Sequence, residues 1–109
     1  MERVADVKRR AQTFIQNGRW DEAIRAYERL ATSDPDPYLQ VLIGDVHLKR
    51  GTVVQAVEAY QRAVDGYREI GLLKNAIALC KKILRLNHNR GLVLAGADTS
   101  LKSLESQLA

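Results

Sequence analysis

The recurrence of one motif constrains this chain more than any other feature. Gly18, Ala23, Ala26, Tyr27 and Arg29 return as Gly51, Ala56, Ala59, Tyr60 and Arg62, a constant offset of 33, and Ile24 returns as Val57. Self-similarity on this scale points to a stack of like supersecondary units, each able to bury its apolar face only against a neighbour. A third, partial copy begins at Gly71, with Ala76, Ile77, Cys80, Lys82 and Ile83 at the matching places, but its offset from the second is only 20.

Within each copy the apolar period is helical. Val4, Val7, Ala11, Phe14 and Ile15 fall at spacings of three and four and predict a helix over 4–16, stopped at Asn17-Gly18. Ala23, Ile24, Ala26, Tyr27, Leu30 and Ala31 predict a second over 21–32. Asp34-Pro35-Asp36-Pro37 ends it, because proline lacks a donor and disfavours a helical residue before it. Leu39, Leu42, Ile43, Val46 and Leu48 mark a third over 38–50, closed by Gly51. A longer fourth follows over 53–69, and a fifth over 73–86 comes after Gly71. Gly66 lies inside the fourth and weakens it by roughly 1 kcal/mol relative to alanine. Beyond residue 88, Gly91 and Gly96 interrupt an apolar run, and Leu101, Leu104 and Leu108 form a weak amphipathic stripe.

These positions resemble the tetratricopeptide repeat (TPR) family, whose 34-residue unit runs W-x2-L-G-x2-Y, then A-x3-F, then P. Ile43-Gly44-x2-His47 and Ala56-x3-Tyr60 carry the match in the second unit. Ala11-x2-Phe14, Ala23-x3-Tyr27 and Pro35 carry it in the first. The resemblance implies an all-α fold: a right-handed superhelical stack of antiparallel helix pairs, an α-solenoid of about five helices plus a C-terminal capping helix. It implies a repeat domain over 1–88, in units of about 4–36, 37–70 and a partial 71–88. Residues 89–109 are then a capping helix or a flexible tail. Small residues at Ala11 or Gly44 are expected to face Ala23 or Ala56 and let helix axes approach, with Tyr27, Tyr60 and Phe14 filling the space between neighbouring hairpins. Two departures stand out. The unit is 33 residues, and the third lacks a separate first helix, so residues 53–70 serve both as the second helix of unit two and as the run-up to unit three. The stack is expected to be irregular near residue 70.

Composition limits the function classes. A chain of 109 residues with 46% apolar and 28% charged side chains suits one folded domain. No apolar run approaches the roughly 20 residues of a membrane span. Met1-Glu2-Arg3-Val4 has no apolar core that would read as a signal peptide, so none is expected. The single cysteine excludes an internal disulfide and a cysteine-rich zinc site. The expected compartment is the cytoplasm. The net charge of +4 is unevenly placed: residues 1–72 hold 11 basic and 11 acidic side chains, and residues 73–109 hold six and two.

The sequence offers little for catalysis, and no enzyme, metal or cofactor is expected. Cys80 stands where the first two copies have tyrosine and reads as a packing thiol. His47 takes an aromatic position of the family pattern, and His88 falls at its proline place, in a turn. Asp21-Glu22 opens a helix, where carboxylates offset the helix dipole. Phosphate loops, HExxH and GxSxG are absent.

The family resemblance implies instead a surface on the first helix of each pair, where partner peptides dock. By position this surface comprises Ala5, Lys8, Gln12, Ile15 and Gln16 in the first unit and Tyr38, Val41, Asp45, Leu48 and Lys49 in the second. One TPR subtype grips a terminal carboxylate with lysine, asparagine and arginine. Lys8 matches its first lysine, but Gln12 and Leu42 stand where asparagines are expected, so the chain departs from that subtype. A separate basic strip, Lys74, Lys81 and Arg85 with Lys82 alongside, lies on one face of the fifth helix. The leading expectation is a scaffold binding a protein or peptide partner. The alternative is homo-oligomerisation through exposed repeat ends. A third reading, binding of nucleic acid or an acidic partner through 74–90, lacks interleaved aromatics for a nucleic-acid platform.

Overall fold

The computed structural model describes residues 3–89 and 97–108. Among them there are six helices and no strand: α1 (Val4–Gln16), α2 (Trp20–Ser33), α3 (Tyr38–Arg50), α4 (Val53–Glu69), α5 (Leu73–Asn89) and α6 (Ala97–Leu108). The first five are joined by turns of two to four residues, too short to do anything but reverse the chain. Each helix packs on the next, α1 on α2 through α5 on α6. The result is the expected all-helical stack of helix pairs. The run 90–96, with Gly91 and Gly96, lies outside the described residues.

The turns follow from local chemistry. Gly18 and Gly51, related by the repeat, both have positive φ (71° and 88°), a backbone region where a side chain is strained. At the α2–α3 turn, Asp34 Oδ1 accepts from the Asp36 amide and Asp36 Oδ1 accepts from the Tyr38 amide, satisfying a donor at the start of α3. α5 runs to Asn89, past the expected end at 86, so exposed His88 lies in its last helical turn and not in a loop. No proline stands there to end the helix, as Asp34-Pro35-Asp36-Pro37 ends α2.

Two apolar clusters meet along α3 and α4. The first joins α1, α2 and α3, with Ala59 of α4; the second joins α4 and α5, with Leu104 of α6 and partly buried Val41 and Leu48 of α3. Ala11, Ala23 and Ala56 are completely buried, as the small-residue pattern requires. A Cβ on Gly44 would stand 2.4 Å from Cε1 of Tyr60, so the missing side chain makes room for the tyrosine ring. The two tyrosines sit among side chains of the next helix pair, Tyr27 in a cluster with Leu39, Ile43 and Val46 and Tyr60 in one with α5 residues, while each hydroxyl reaches back to the partner helix of its own pair, Tyr27 to Gln12 and Tyr60 to Asp45. Phe14 is half-buried and lies 5.2 Å from the Arg19 guanidinium.

Gly66 has a packing reason that its place inside a helix conceals. Its missing Cβ would meet Pro37 Cβ and Cγ at 3.0 Å, so the buried Pro37 ring of the α2–α3 turn rests on α4 there. Helix propensity is sacrificed for close approach.

Gly44→Ala tests the closer of these contacts. An exposed mid-helix Gly→Ala change stabilises by roughly 1 kcal/mol. Here the new methyl meets a fully buried ring, and overpacking of this kind costs about 1–3 kcal/mol. Chemical denaturation is expected to give a lower midpoint for Gly44→Ala than for wild type, and a higher one would refute the contact.

Candidate partner-binding groove

Because each short turn reverses direction, the odd-numbered helices α1, α3 and α5 come to lie along one side of the stack. Their side chains border a groove in two stretches. The first, about 360 Å³, is lined by Gln12 and Ile15 of α1, Tyr27 of α2, Leu42, Asp45, Val46, Leu48 and Lys49 of α3, and Lys82 of α5. The second, about 410 Å³, is lined by Tyr38, Val41, Tyr67, Lys74, Asn75, Ala78, Leu79, Lys82 and Arg85. Lys82 borders both stretches.

Most residues assigned from the sequence therefore gather at one place. Lys8 stands beside this set, its Nζ 6.0 Å from the Tyr38 ring centroid. Gln16 and Lys81 are exposed and line neither stretch. The basic strip, read from sequence as a separate surface, is part of the same groove: Lys74, Lys82 and Arg85 face Tyr38 and Val41 across it. Tyr38 thereby supplies an aromatic among these cations that linear separation hid.

The register explains this gathering. Gln12, Asp45 and Ala78 follow one another at intervals of 33 and all line the groove; so do Val41 and Lys74, and Lys49 and Lys82. α5 occupies the place beside α3 that a first helix would take, although its Gly71, Ala76 and Cys80 match second helices. The alternation of direction along the chain sets its place. The offset of 20 reflects only where the glycine and alanine positions fall.

Two tyrosines from the second helices reach the groove with their polar ends. Gln12 Nε2 donates to Tyr27 Oη at 3.3 Å, and Tyr60 Oη donates to Asp45 Oδ1 at 2.6 Å, the same pair of positions one repeat on. Burial raises the pKa of both phenols. At Tyr27 the Gln12 hydrogen bond partly opposes it; at Tyr60 the Asp45 hydrogen bond and charge add to it. The Lys82 ammonium lies 3.5 Å from Asp45 Oδ1 and 4.9 Å from the centroid of the Tyr60 ring. Carboxylate, phenol and ammonium form one connected group.

The remaining polar residues do local work. His47 Nδ1 and Thr52 Oγ1 are 2.8 Å apart, tying the end of α3 to the following turn. Burial, then the Arg50 charge, lowers the pKa of the ring. Glu22 accepts from Arg19 at 2.6 Å, and Asp21 pairs with Arg50. Among the described residues no three His, Cys, Asp or Glu side chains come together as a metal site, and no helix is long and apolar enough to cross a membrane.

Cys80 lies in the α4–α5 cluster at 1% exposure, and burial raises its pKa. A thiol both shielded and held protonated reacts slowly. Its modification by an aromatic disulfide reagent is expected to be more than ~100-fold slower in the native protein than in denaturant, because reaction must wait for local opening. Native rates within a few-fold of denatured rates would contradict its burial.

Comparison with known proteins places this geometry. No curated protein matches the chain. The family model described as tetratricopeptide repeat matches residues 8–69, from within α1 to the end of α4 and over more than half of the chain. Repeats of this kind generally mediate protein–protein interaction, and such modules are typically non-enzymatic. With its repeated Ala–Tyr pattern, its stacked helices and this match, the chain belongs to the tetratricopeptide repeat family.

Proposed function

We propose that this protein is a non-catalytic scaffold that binds an extended or helical segment of a partner protein in the groove bordered by α1, α3 and α5. The observation that carries the reading is that Gln12, Ile15, Tyr38, Val41, Asp45, Leu48 and Lys49 line, with α5 side chains, two stretches that share Lys82. Tyr38 is 47% exposed there, a large aromatic open to a partner. Apolar anchors of this type supply most binding energy, and the charges around them select the partner.

In this reading residues 1–88 form the binding module and α6 caps it. Leu104 is fully buried against the α4–α5 cluster, whereas Lys102, Ser103 and Glu105 are exposed, the arrangement a terminal helix needs to end a solenoid in water. That cover reduces the case for assembly through the C-terminal end of the stack.

Replacing Val41 and Leu48 together by glutamate places charge at two apolar points of the groove, and Val54→Glu, on an exposed site of α4, is the control. Partners captured from an extract of the source cells by wild type are expected to fall at least about tenfold with the double variant, since each lost anchor is worth about 1–2 kcal/mol. The control should retain them. Equal capture by the double variant would move the binding surface elsewhere.

A further inference from the structure

The groove has a strong charge bias with one exception at its centre. Lys49, Lys74, Lys82 and Arg85 line it, Lys8 adjoins Tyr38, and Asp45 is the only carboxylate among the lining residues. The repeat register puts Asp45 in a middle row with Gln12 and Ala78. One flanking row holds Lys8, Val41 and Lys74, and the other holds Gln16, Lys49 and Lys82.

Asp45 is held in this position from behind. Tyr60 Oη donates to Oδ1, and Tyr60 itself is fixed by its buried contact with Gly44. From this anchored place the carboxylate engages Lys82 at 3.5 Å, yet the two side chains remain 41% and 39% exposed. A pair so open to water is worth little, so an outside carboxylate can displace it at small cost. Asp45 sits where an acidic ligand group would sit against Lys82, so such a group must displace it.

We propose that the partner segment is acidic, and that Asp45 is a built-in competitor which an incoming carboxylate must displace from Lys82. The inference rests on the groove being the binding surface. An acidic peptide satisfies both aspects of the groove. Its carboxylates match the lysine rows, and its apolar side chains meet Ile15, Val41, Leu48 and Leu79. A nucleic acid satisfies the cations alone, and its regularly spaced phosphates have no counterpart for this apolar lining. The competitor sharpens selection: a weakly acidic segment is held off, and one with several well-placed carboxylates displaces Asp45 from Lys82.

The test uses a displayed library of randomised twelve-residue peptides selected on the full chain. Asp45→Asn keeps the shape and the acceptor for Tyr60 while removing the charge. The selected peptides are expected to be rich in Asp and Glu with interspersed apolar residues. They should bind Asp45→Asn about two- to fivefold more tightly than wild type, the change a half-exposed ion pair supports. That gain should vanish in the Lys82→Gln background, because competition acts through Lys82. Selected peptides that are neutral or basic, yet lost on charging Val41 and Leu48, would leave the groove standing and overturn the acidic partner. Peptides indifferent to Val41 and Leu48, or no enrichment at all, would overturn the groove reading and this inference with it. A gain that persists without Lys82, or no gain, would overturn the competitor role. Tighter, salt-sensitive binding of a twenty-nucleotide oligouridylate than of any selected peptide would replace the peptide by nucleic acid.

Discussion

The close approach of Gly44 and Tyr60 organises this molecule. A tyrosine ring lies where a Cβ would stand 2.4 Å away, so α3 and α4 lie closer than any side chain at position 44 would permit. The buried ring makes the pair adhere, since burial of a large aromatic side chain is worth roughly 2–3 kcal/mol. The same ring carries its hydroxyl to Asp45 at 2.6 Å and receives the Lys82 ammonium at 4.9 Å. One side chain thus fixes a helix spacing, orients the carboxylate in the groove and engages α5. Gly66 and Pro37 repeat the principle nearer the C-terminal end of α4, where an added Cβ would meet the proline ring at 3.0 Å.

Much of this was legible in the sequence. Alanine, glycine and tyrosine at a constant interval gave the helices close to their observed bounds, and the completely buried Ala11, Ala23 and Ala56 are the residues the pattern marks as small. The period carries this information because only small residues tolerate close helix axes. What the sequence misplaced was the fifth helix. Its glycine and alanine align it with second helices, but position in a stack of short-turned helices follows from the number of reversals that precede it. Val41 and Lys74, or Asp45 and Ala78, are paired by the same interval of 33 that relates the first two copies. That interval was hidden because Lys74 and Ala78 carry none of the motif's conspicuous residues.

The site was legible in part for the same reason. Of the residues assigned to α1 and α3, all but Ala5, Lys8 and Gln16 line the two stretches. The strip on α5 was read as a separate surface, and the roles of Tyr27, Tyr60 and Tyr67 near the groove were missed. Tyrosine at a core position signals burial, and nothing in one dimension tells which way its hydroxyl emerges. The pairing of Gln12 with Tyr27 and of Asp45 with Tyr60, each 15 residues apart, is a signal that could have found it. The charge in the last third of the chain gains its meaning only once α5 is laid beside α3.

The ring of Tyr60 faces the bare backbone of Gly44, and proton NMR reports this contact directly. A strong nuclear Overhauser effect is expected between a Gly44 Hα and the Tyr60 ring protons, with that Hα shifted upfield by the ring current. A Gly44 Hα near its random-coil position, with no cross-peak to Tyr60, would mean that α3 and α4 do not meet in this way, and the spacing, the groove and the placement of Asp45 derived from it would fall together.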